Sequence, residues 1–302
     1  MSKKIVGLII VVALLLGAGG FALITNNIDS KKADPEVEIP ENSNDGEDIT
    51  QAQLTAGITA RQAEFDAEEY EMPEKEKFAY TINDDGTTEP EMTDLDKDMW
   101  SLIEEMAPSQ ESFDSIREYT VYYDEDDTTD ASVSAIDDNN EDWSFELNYS
   151  ATNDFELLLP VIVHEFSHVL SLQNDHVTSD TEDPEIRDSC VNYLVAEGCL
   201  KDGTMLNNFF EKFWKKNPDF VPDVDRSENE TEAFYETRQD QYVTDYATTN
   251  PIEDFAESIM YYVMNSPVKA NTEKRQKTDF FKGCPKIVRY RNEVREKIAN
   301  FS

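Results

Sequence analysis

Val163-His164-Glu165-Phe166-Ser167-His168-Val169 lies inside an apolar run from Leu157 to Leu172, and no other stretch constrains the chain as tightly. Residues four apart share one face of a helix, so the two histidines can point at one metal ion. Glu165, one step round, can then reach a water activated by that ion. The spacing suits a particular chemistry, in which two neutral imidazoles hold Zn²⁺ and the carboxylate takes a proton from the water. The chain has only three histidines, and two of them stand four apart with Glu directly after the first. The bland alternative is a pair of structural histidines on a half-buried helix. Against it stand Ile162, Val163, Phe166 and Val169, the uncharged neighbours that a buried metal-bearing helix needs.

Charge narrows the function further. The chain of 302 residues carries 65 acidic against 26 basic side chains, a net of −39. Nucleic acid is excluded as a partner, because its phosphates would be repelled. Lys3 and Lys4 precede twenty uncharged residues from Ile5 to Ile24. That length spans a bilayer as a helix. The same segment has the n-region and h-region of a secretory signal, with Gly20-Phe21-Ala22 as a small-x-small cleavage site. Both readings of residues 1–27, signal peptide or membrane anchor, place the rest of the chain outside the cell. Residues 28–60 are acidic and poor in large apolar groups, and read as a disordered linker. Residues 61–302 then form the folded domain, with a sheet-bearing part at about 61–175 and a helical part at about 176–302. Cys190, Cys199 and Cys284 are odd in number in an export context that allows disulfides. One bridge with a spare thiol and three free thiols both fit. On an unbroken helix Cys190 and Cys199 would stand about 13 Å apart, too far to bridge, unless Gly198 ends that helix.

Along the chain, Phe65, Tyr70, Phe78 and Tyr80 suggest that part of 51–92 packs on the domain. Thr93 to Met106 predicts a capped helix with Leu95, Met99, Leu102, Ile103 and Met106 on one face. Glu118–Asp124, Ala131–Ile136 and Trp143–Tyr149 predict strands. Such a sheet could be a plain structural hairpin, or could add an extended peptide to its edge. The motif helix is expected from about Asp154 to Gln173, with Pro160 implying a kink or a later start. His176, the third histidine, follows in a polar loop. A metzincin would need His-Glu-x-x-His-x-x-Gly-x-x-His, but Ser171 stands where its glycine belongs and Asn174 where its third histidine belongs, so His176 reads as a loop or surface residue. Residues 186–217 suggest two helical pieces broken at Gly198 to Gly203, and Asn217 to Gln239 suggests a polar loop. A last helix from about Pro285 closes at Ile298 and Phe301, in a basic segment expected to pack on the acidic body.

The second informative stretch is Tyr246-Ala247-Thr248-Thr249-Asn250-Pro251-Ile252-Glu253-Asp254-Phe255-Ala256-Glu257. Asn250 is a good N-cap, Pro251 fits the first helical position, and Glu253 at the third completes a capping-box pattern. Glu253 and Glu257 then share one semi-apolar face. Two carboxylates there need a partner, and a metal ion is a natural one. Capping by Glu253 with Glu257 solvated is the alternative.

His-Glu-Phe-Ser-His, followed some eighty residues later by Tyr-x6-Glu-Asp-Phe-Ala-Glu, resembles the gluzincin peptidases of the anthrax lethal factor and Pro-Pro endopeptidase type. It looks closer still to exported zinc-peptidase-like proteins of Gram-positive bacteria. The resemblance covers roughly residues 95–300. It implies one zinc held by His164, His168 and Glu253, with Glu165 as general base. It also implies Tyr246 as the oxyanion-stabilising tyrosine and Glu257 as the support of a ligand histidine. Ser167 stands where this group often has Gly, and the long insertion between the two motifs leaves the substrate open. The expectation is therefore an α+β zincin: a small β-sheet, the active-site helix, and a mostly helical C-terminal subdomain carrying the third ligand. Its function would be hydrolysis of peptide bonds outside the cell. A His₂Glu set favours zinc over Mg²⁺ or Ca²⁺. The rival expectation is a surface scaffold that keeps the fold without turnover, against which the intact Glu165 counts.

Overall fold

Alternating apolar side chains build a five-stranded mixed sheet from β1 (Phe78–Ile82), β2 (Thr88–Glu89), β3 (Ile116–Tyr122), β4 (Ala131–Ala135) and β5 (Trp143–Asn148), in the order β2-β1-β3-β5-β4. β3 and β5 are parallel, and the other pairs are antiparallel. In this computed structural model the described residues are 49–73, 75–178, 189–218, 220, 226 and 228–301. Of the two units into which the chain divides, Met1–Ser43 and Asn44–Ser302, only the second contains described residues. The expected anchor or signal at residues 1–27 and the linker as far as residue 48 lie outside them.

The register sets Tyr80 beside Tyr119, Tyr119 beside Phe145, and Phe145 beside Val133, a row crossing four strands. One end of this row closes on a polar knot inside the core. Tyr80 and Tyr149 donate to Asp96 at 2.5 and 2.7 Å, and the Tyr119 and Tyr149 hydroxyls meet at 2.8 Å. Asp96 is also the third residue of α2 (Asp94–Met106), where it completes a capping box with Thr93. The other end of the row packs on the motif helix, with the Phe145 and Phe166 rings 5.9 Å apart.

The motif helix, Phe155–Leu172, starts at Asp154, whose side chain accepts from the Glu156 N–H. It starts where the sequence places it and runs on through Pro160. It is long and apolar enough to cross a membrane, yet most of it is buried as a core helix.

The second half is helical apart from a two-stranded ribbon of β6 (Val177–Thr178) and β7 (Cys199–Leu200). α5 (Met205–Phe213), α6 (Glu228–Glu236), the ligand helix Pro251–Met264, α8 (Glu273–Phe280) and α9 (Pro285–Ala299) follow. Taking α1 as Gln51–Ala67 and α3 as Gln110–Asp114, the motif helix is α4 and the ligand helix α7.

Three expectations need correction. The linker does not extend to residue 60, because α1 begins at Gln51 and buries Leu54, Gly57 and Ile58. Among the described residues, 190–198 form no helix; they make a turn closed by a Cys190–Cys199 disulfide with a Cα–Cα distance of 5.7 Å. The polar stretch after Asn217 contains a helix, α6. The sheet part and the helical part share one continuous core that runs from Leu54 to Ile298.

Candidate metal centre

Asn250 fixes where the ligand helix begins. Its Oδ1 accepts from the backbone N–H groups of Ile252 at 2.8 Å and Glu253 at 2.9 Å. With the first-turn donors met by Asn250, the Glu253 carboxylate meets the motif helix instead. α7 packs against α4, and the two helices bring His164, His168 and Glu253 together. His168 Nε2 lies 3.0 Å from His164 Nε2, and Glu253 Oε2 lies 3.1 and 3.3 Å from the two nitrogens. Ligand atoms about 2.0–2.1 Å from one ion at tetrahedral angles stand about 3.3 Å apart, so these spacings suit a single small cation. The donor set could hold a metal ion, and it is the set expected from the sequence.

Glu257 decides the tautomer of His164. Its Oε1 lies 2.6 Å from Nδ1, and a carboxylate only accepts, so the proton sits on Nδ1 and Nε2 is left as a donor atom for a metal. Thr244 holds the other oxygen of Glu257, donating to Oε2 at 2.5 Å. Glu257 is thus bound from both sides and buried. Thr244 went unnoticed in the sequence, since no spacing rule ties it to the motif.

Electrostatics follow from this enclosure. Burial disfavours protonation of His164, but its hydrogen bonds with Glu253 and Glu257 outweigh that and hold the imidazole well above its usual range. His168 is likewise raised, with the Glu253 charge prevailing over burial. Burial pushes against the Glu253 charge, yet the two histidines keep its carboxyl below the usual carboxylate range. Glu165 is buried, which raises its carboxyl pKa against the pull of His164 and His168 and the smaller effect of the nearby Val133 backbone of β4. A carboxyl raised in this way lies nearer neutral pH than a free one, as a proton acceptor would need.

Tyr246 begins a 3-10 turn, Tyr246–Thr248, just before Asn250, and is 51% exposed. Its ring centroid lies 5.7 Å from that of His164, so the structure brings it to the mouth of the site. His176 stands apart from the cluster, beside Asp175 at 3.3 Å, as the sequence suggested.

Next to Glu253, Asp254 is fully buried and anchors α7 to the rest of the core. Trp214 Nε1 donates to its Oδ2 at 2.7 Å, and the Lys277 ammonium lies 2.7 Å away as an ion pair. That ammonium also sits over the Tyr242 ring at 3.7 Å. Glu197 was not singled out in the sequence either. It lies on the disulfide-closed turn, near enough for the charges of His168 and Glu253 to act on it. A comparison with family models, curated proteins and solved structures yields no match, so geometry alone carries the reading of this site.

Proposed function

We propose that the chain is a zinc endopeptidase of the gluzincin type, acting outside the cell on a peptide or protein substrate. The observation that carries this reading is the convergence of His164, His168 and Glu253. Their three ligand atoms stand 3.0 to 3.3 Å apart, the spacing of donors around one small cation, which would take the place of the protons that otherwise pair the imidazoles with Glu253. Two imidazoles and one carboxylate are a donor set that suits zinc better than Mg²⁺ or Ca²⁺. A zinc ion held there would supply a Lewis acid that polarises a peptide carbonyl and eases loss of a proton from water.

The other tasks fall to side chains and backbone. β4 is an edge strand of the sheet and packs on α4, with the Val133 backbone close enough to favour the charge of Glu165. An extended peptide lying along β4 would bring a carbonyl carbon beside Glu165. Glu165 takes the proton of the attacking water and passes it to the leaving amine. The Tyr246 hydroxyl donates to the oxyanion as it forms on the former carbonyl oxygen. A mixed sheet with a free edge among the described residues, lying on a His-Glu-x-x-His helix, is the arrangement a zincin requires. The Cys190–Cys199 bridge and the uncharged segment Ile5–Ile24 support an exported setting, anchored or released.

Elemental analysis and digestion of a peptide library, with a chelator control, test the proposal together. Wild type should bind one zinc per chain and cleave. Glu165→Gln should keep the zinc and lose at least about a hundredfold in rate. Tyr246→Phe should lose about 10²–10³. Zinc-loaded wild type that cleaves nothing would favour the scaffold.

A further inference from the structure

The residues just before the ligand helix are tied down one after another. The Val243 carbonyl accepts from Lys274 Nζ and from the Tyr235 hydroxyl, both at 3.3 Å. The 3-10 turn Tyr246–Thr248 follows, and its first internal bond runs from the Thr248 N–H to the Asp245 carbonyl at 2.9 Å. That leaves the N–H groups of Tyr246 and Ala247 without a partner inside the turn. Asp245 Oδ1 accepts the first at 3.0 Å, and Thr244 Oγ1 accepts the second at 3.1 Å. Ala247 is fully buried, so its N–H depends on that acceptor.

Thr244 faces two ways. A hydroxyl has one proton to donate and lone pairs with which to accept. The proton goes to Glu257 Oε2 at 2.5 Å, and a lone pair takes the Ala247 N–H. The other Glu257 oxygen holds Nδ1 of His164 at 2.6 Å. A chain of hydrogen bonds therefore runs from the His164 ring, through Glu257 and one hydroxyl, to the backbone amide directly after Tyr246. Tyr246 hangs from that turn with its ring centroid 5.7 Å from that of His164. Glu257 itself stands on α7, which starts at Pro251, so backbone and hydroxyl close a ring around residues 244–257.

We propose that Thr244 is a positioning residue that locks the Tyr246 turn to the His164–Glu257 pair, so that one hydroxyl places both a metal-ligating imidazole and the tyrosine that meets the oxyanion. This rests on the peptidase reading above, and it goes beyond the support that Thr244 gives Glu257. The link is reciprocal: a metal that fixes His164 also steadies the Tyr246 turn, and a steady turn favours the metal. A metal-free site would thus hold its tyrosine less firmly than a loaded one.

The test uses the full chain, with zinc affinity read by competition against a chelator and turnover read on a peptide that wild type cleaves from the library. Thr244→Val keeps the shape of the side chain and removes the hydroxyl. It should weaken zinc binding by about tenfold, the low end for a group that orients a ligand. At saturating zinc it should lower kcat by about 10- to 100-fold with KM nearly unchanged, as a displacement of Tyr246 by about 1 Å would. Thr244→Ser, which keeps the hydroxyl, should restore most of both. In a Tyr246→Phe background, Thr244→Val should lower kcat by less than about threefold more, because the hydroxyl it positions is already gone. Asp245→Ala loosens the same turn without touching Glu257, and should leave zinc affinity unchanged. Should Thr244→Val not fold, amide exchange in the unmutated chain decides. Zinc should slow exchange of the Ala247 N–H by at least about tenfold, and by much less in Glu257→Gln. Unchanged zinc affinity in folded Thr244→Val overturns the proposal, as does an equal loss in Asp245→Ala. So do independent losses with Tyr246→Phe, or Ala247 exchange indifferent to zinc. Zinc-loaded wild type that cleaves nothing sinks the peptidase instead, while the affinity and exchange measurements still test the Thr244 link.

Discussion

His164 Nε2, His168 Nε2 and Glu253 Oε2 face one another, while on the far side of the His164 ring Nδ1–H donates to Glu257. Loss of the Nε2 proton to an arriving metal therefore leaves His164 with its remaining proton on Nδ1, and the Thr244 hydroxyl holds Glu257 in position to receive it as a hydrogen bond. Glu257→Gln keeps a hydrogen-bond acceptor but removes the charge that makes the imidazole a better ligand. It should weaken zinc binding by about 10- to 100-fold with the fold intact. Competition against a chelator of known affinity measures this, and unchanged affinity would mean that Glu257 orients nothing. The raised histidines also give the pH dependence a sign. His164 and His168 in the metal-free protein hold protons above the usual imidazole range, chiefly because Glu253 and Glu257 outweigh burial. A protonated imidazole cannot bind metal, so apparent zinc affinity should rise as pH climbs through and beyond about 6.5 and fall away below it. Zinc uptake at pH 7 should consequently release protons, which calorimetry in two buffers of different ionisation enthalpy detects. Uptake without proton release would mean that both rings are already neutral.

At the level of helices and strands, what the sequence made legible were the elements whose ends carry their own chemistry. Thr93 and Asn250 cap their helices as their side chains suggested, and Asp154 caps α4 where the helix was expected to begin. Alternation found β3, β4 and β5, although β3 begins at Ile116, two residues earlier than expected, whereas β1 and the short β2, β6 and β7 went unread. Two elements were misread for physical reasons. The 190–198 stretch has apolar spacing that suits a helix, but a covalent bridge to Cys199 and the Gly198 conformation overrule local preference. Glu197 was invisible because long-range packing alone places it. α1 has a Thr50–Gln53 capping box in plain view, but the acidic stretch before it disguised the start of the domain. Its stability comes instead from contacts far along the chain. The Gln62 side chain accepts from the first helical N–H of α4, at Phe155, and Gln51 donates to the Met264 carbonyl at the end of α7. α1 thus braces both helices that bring His164, His168 and Glu253 together. Gly57 tests that arrangement. In a free helix, Gly→Ala would stabilise by about 1 kcal/mol. A Cβ at Gly57, however, would stand 1.9 Å from the backbone oxygen of Ile298 in α9. Forcing the two helices apart should cost about 1–3 kcal/mol, which exceeds the gain in propensity. Gly57→Ala should therefore lower Tm, by about 2–4 °C for each net kcal/mol lost. A higher Tm would show that α1 does not pack on α9.

Across the whole molecule, charge is distributed unevenly. Residues 269–302 carry ten basic and four acidic side chains, a net of +6 that leaves −45 for the rest of a chain totalling −39. Two electrostatic effects then oppose each other as salt is added. Screening the repulsion among exposed acids should stabilise the folded domain, whereas screening attraction between the basic segment and the acidic body should destabilise it. Which effect wins depends on what the basic side chains touch. Arg291 and Arg295 are buried, and they donate to carbonyls at the end of α7, with Arg291 to Asn265 at 3.0 Å and Arg295 to Val263 at 3.2 Å. Arg295 also reaches the Ile49 carbonyl at 2.5 Å, and Lys297 the Glu105 carbonyl at 2.7 Å. Lys277 is paired with Asp254 deep in the core. These attachments are short contacts to carbonyl dipoles or to an enclosed partner, and salt screens such contacts far less than exposed charges. The acids that carry the excess charge are largely on the surface, where a Debye length of about 3 Å at 1 M salt nearly silences their repulsion. Salt should therefore raise the stability of the zinc-loaded domain, with Tm increasing steadily between about 0.05 and 1 M sodium chloride. A falling Tm over that range would mean that long-range attraction, rather than buried contact, holds the basic C-terminal helix to the body.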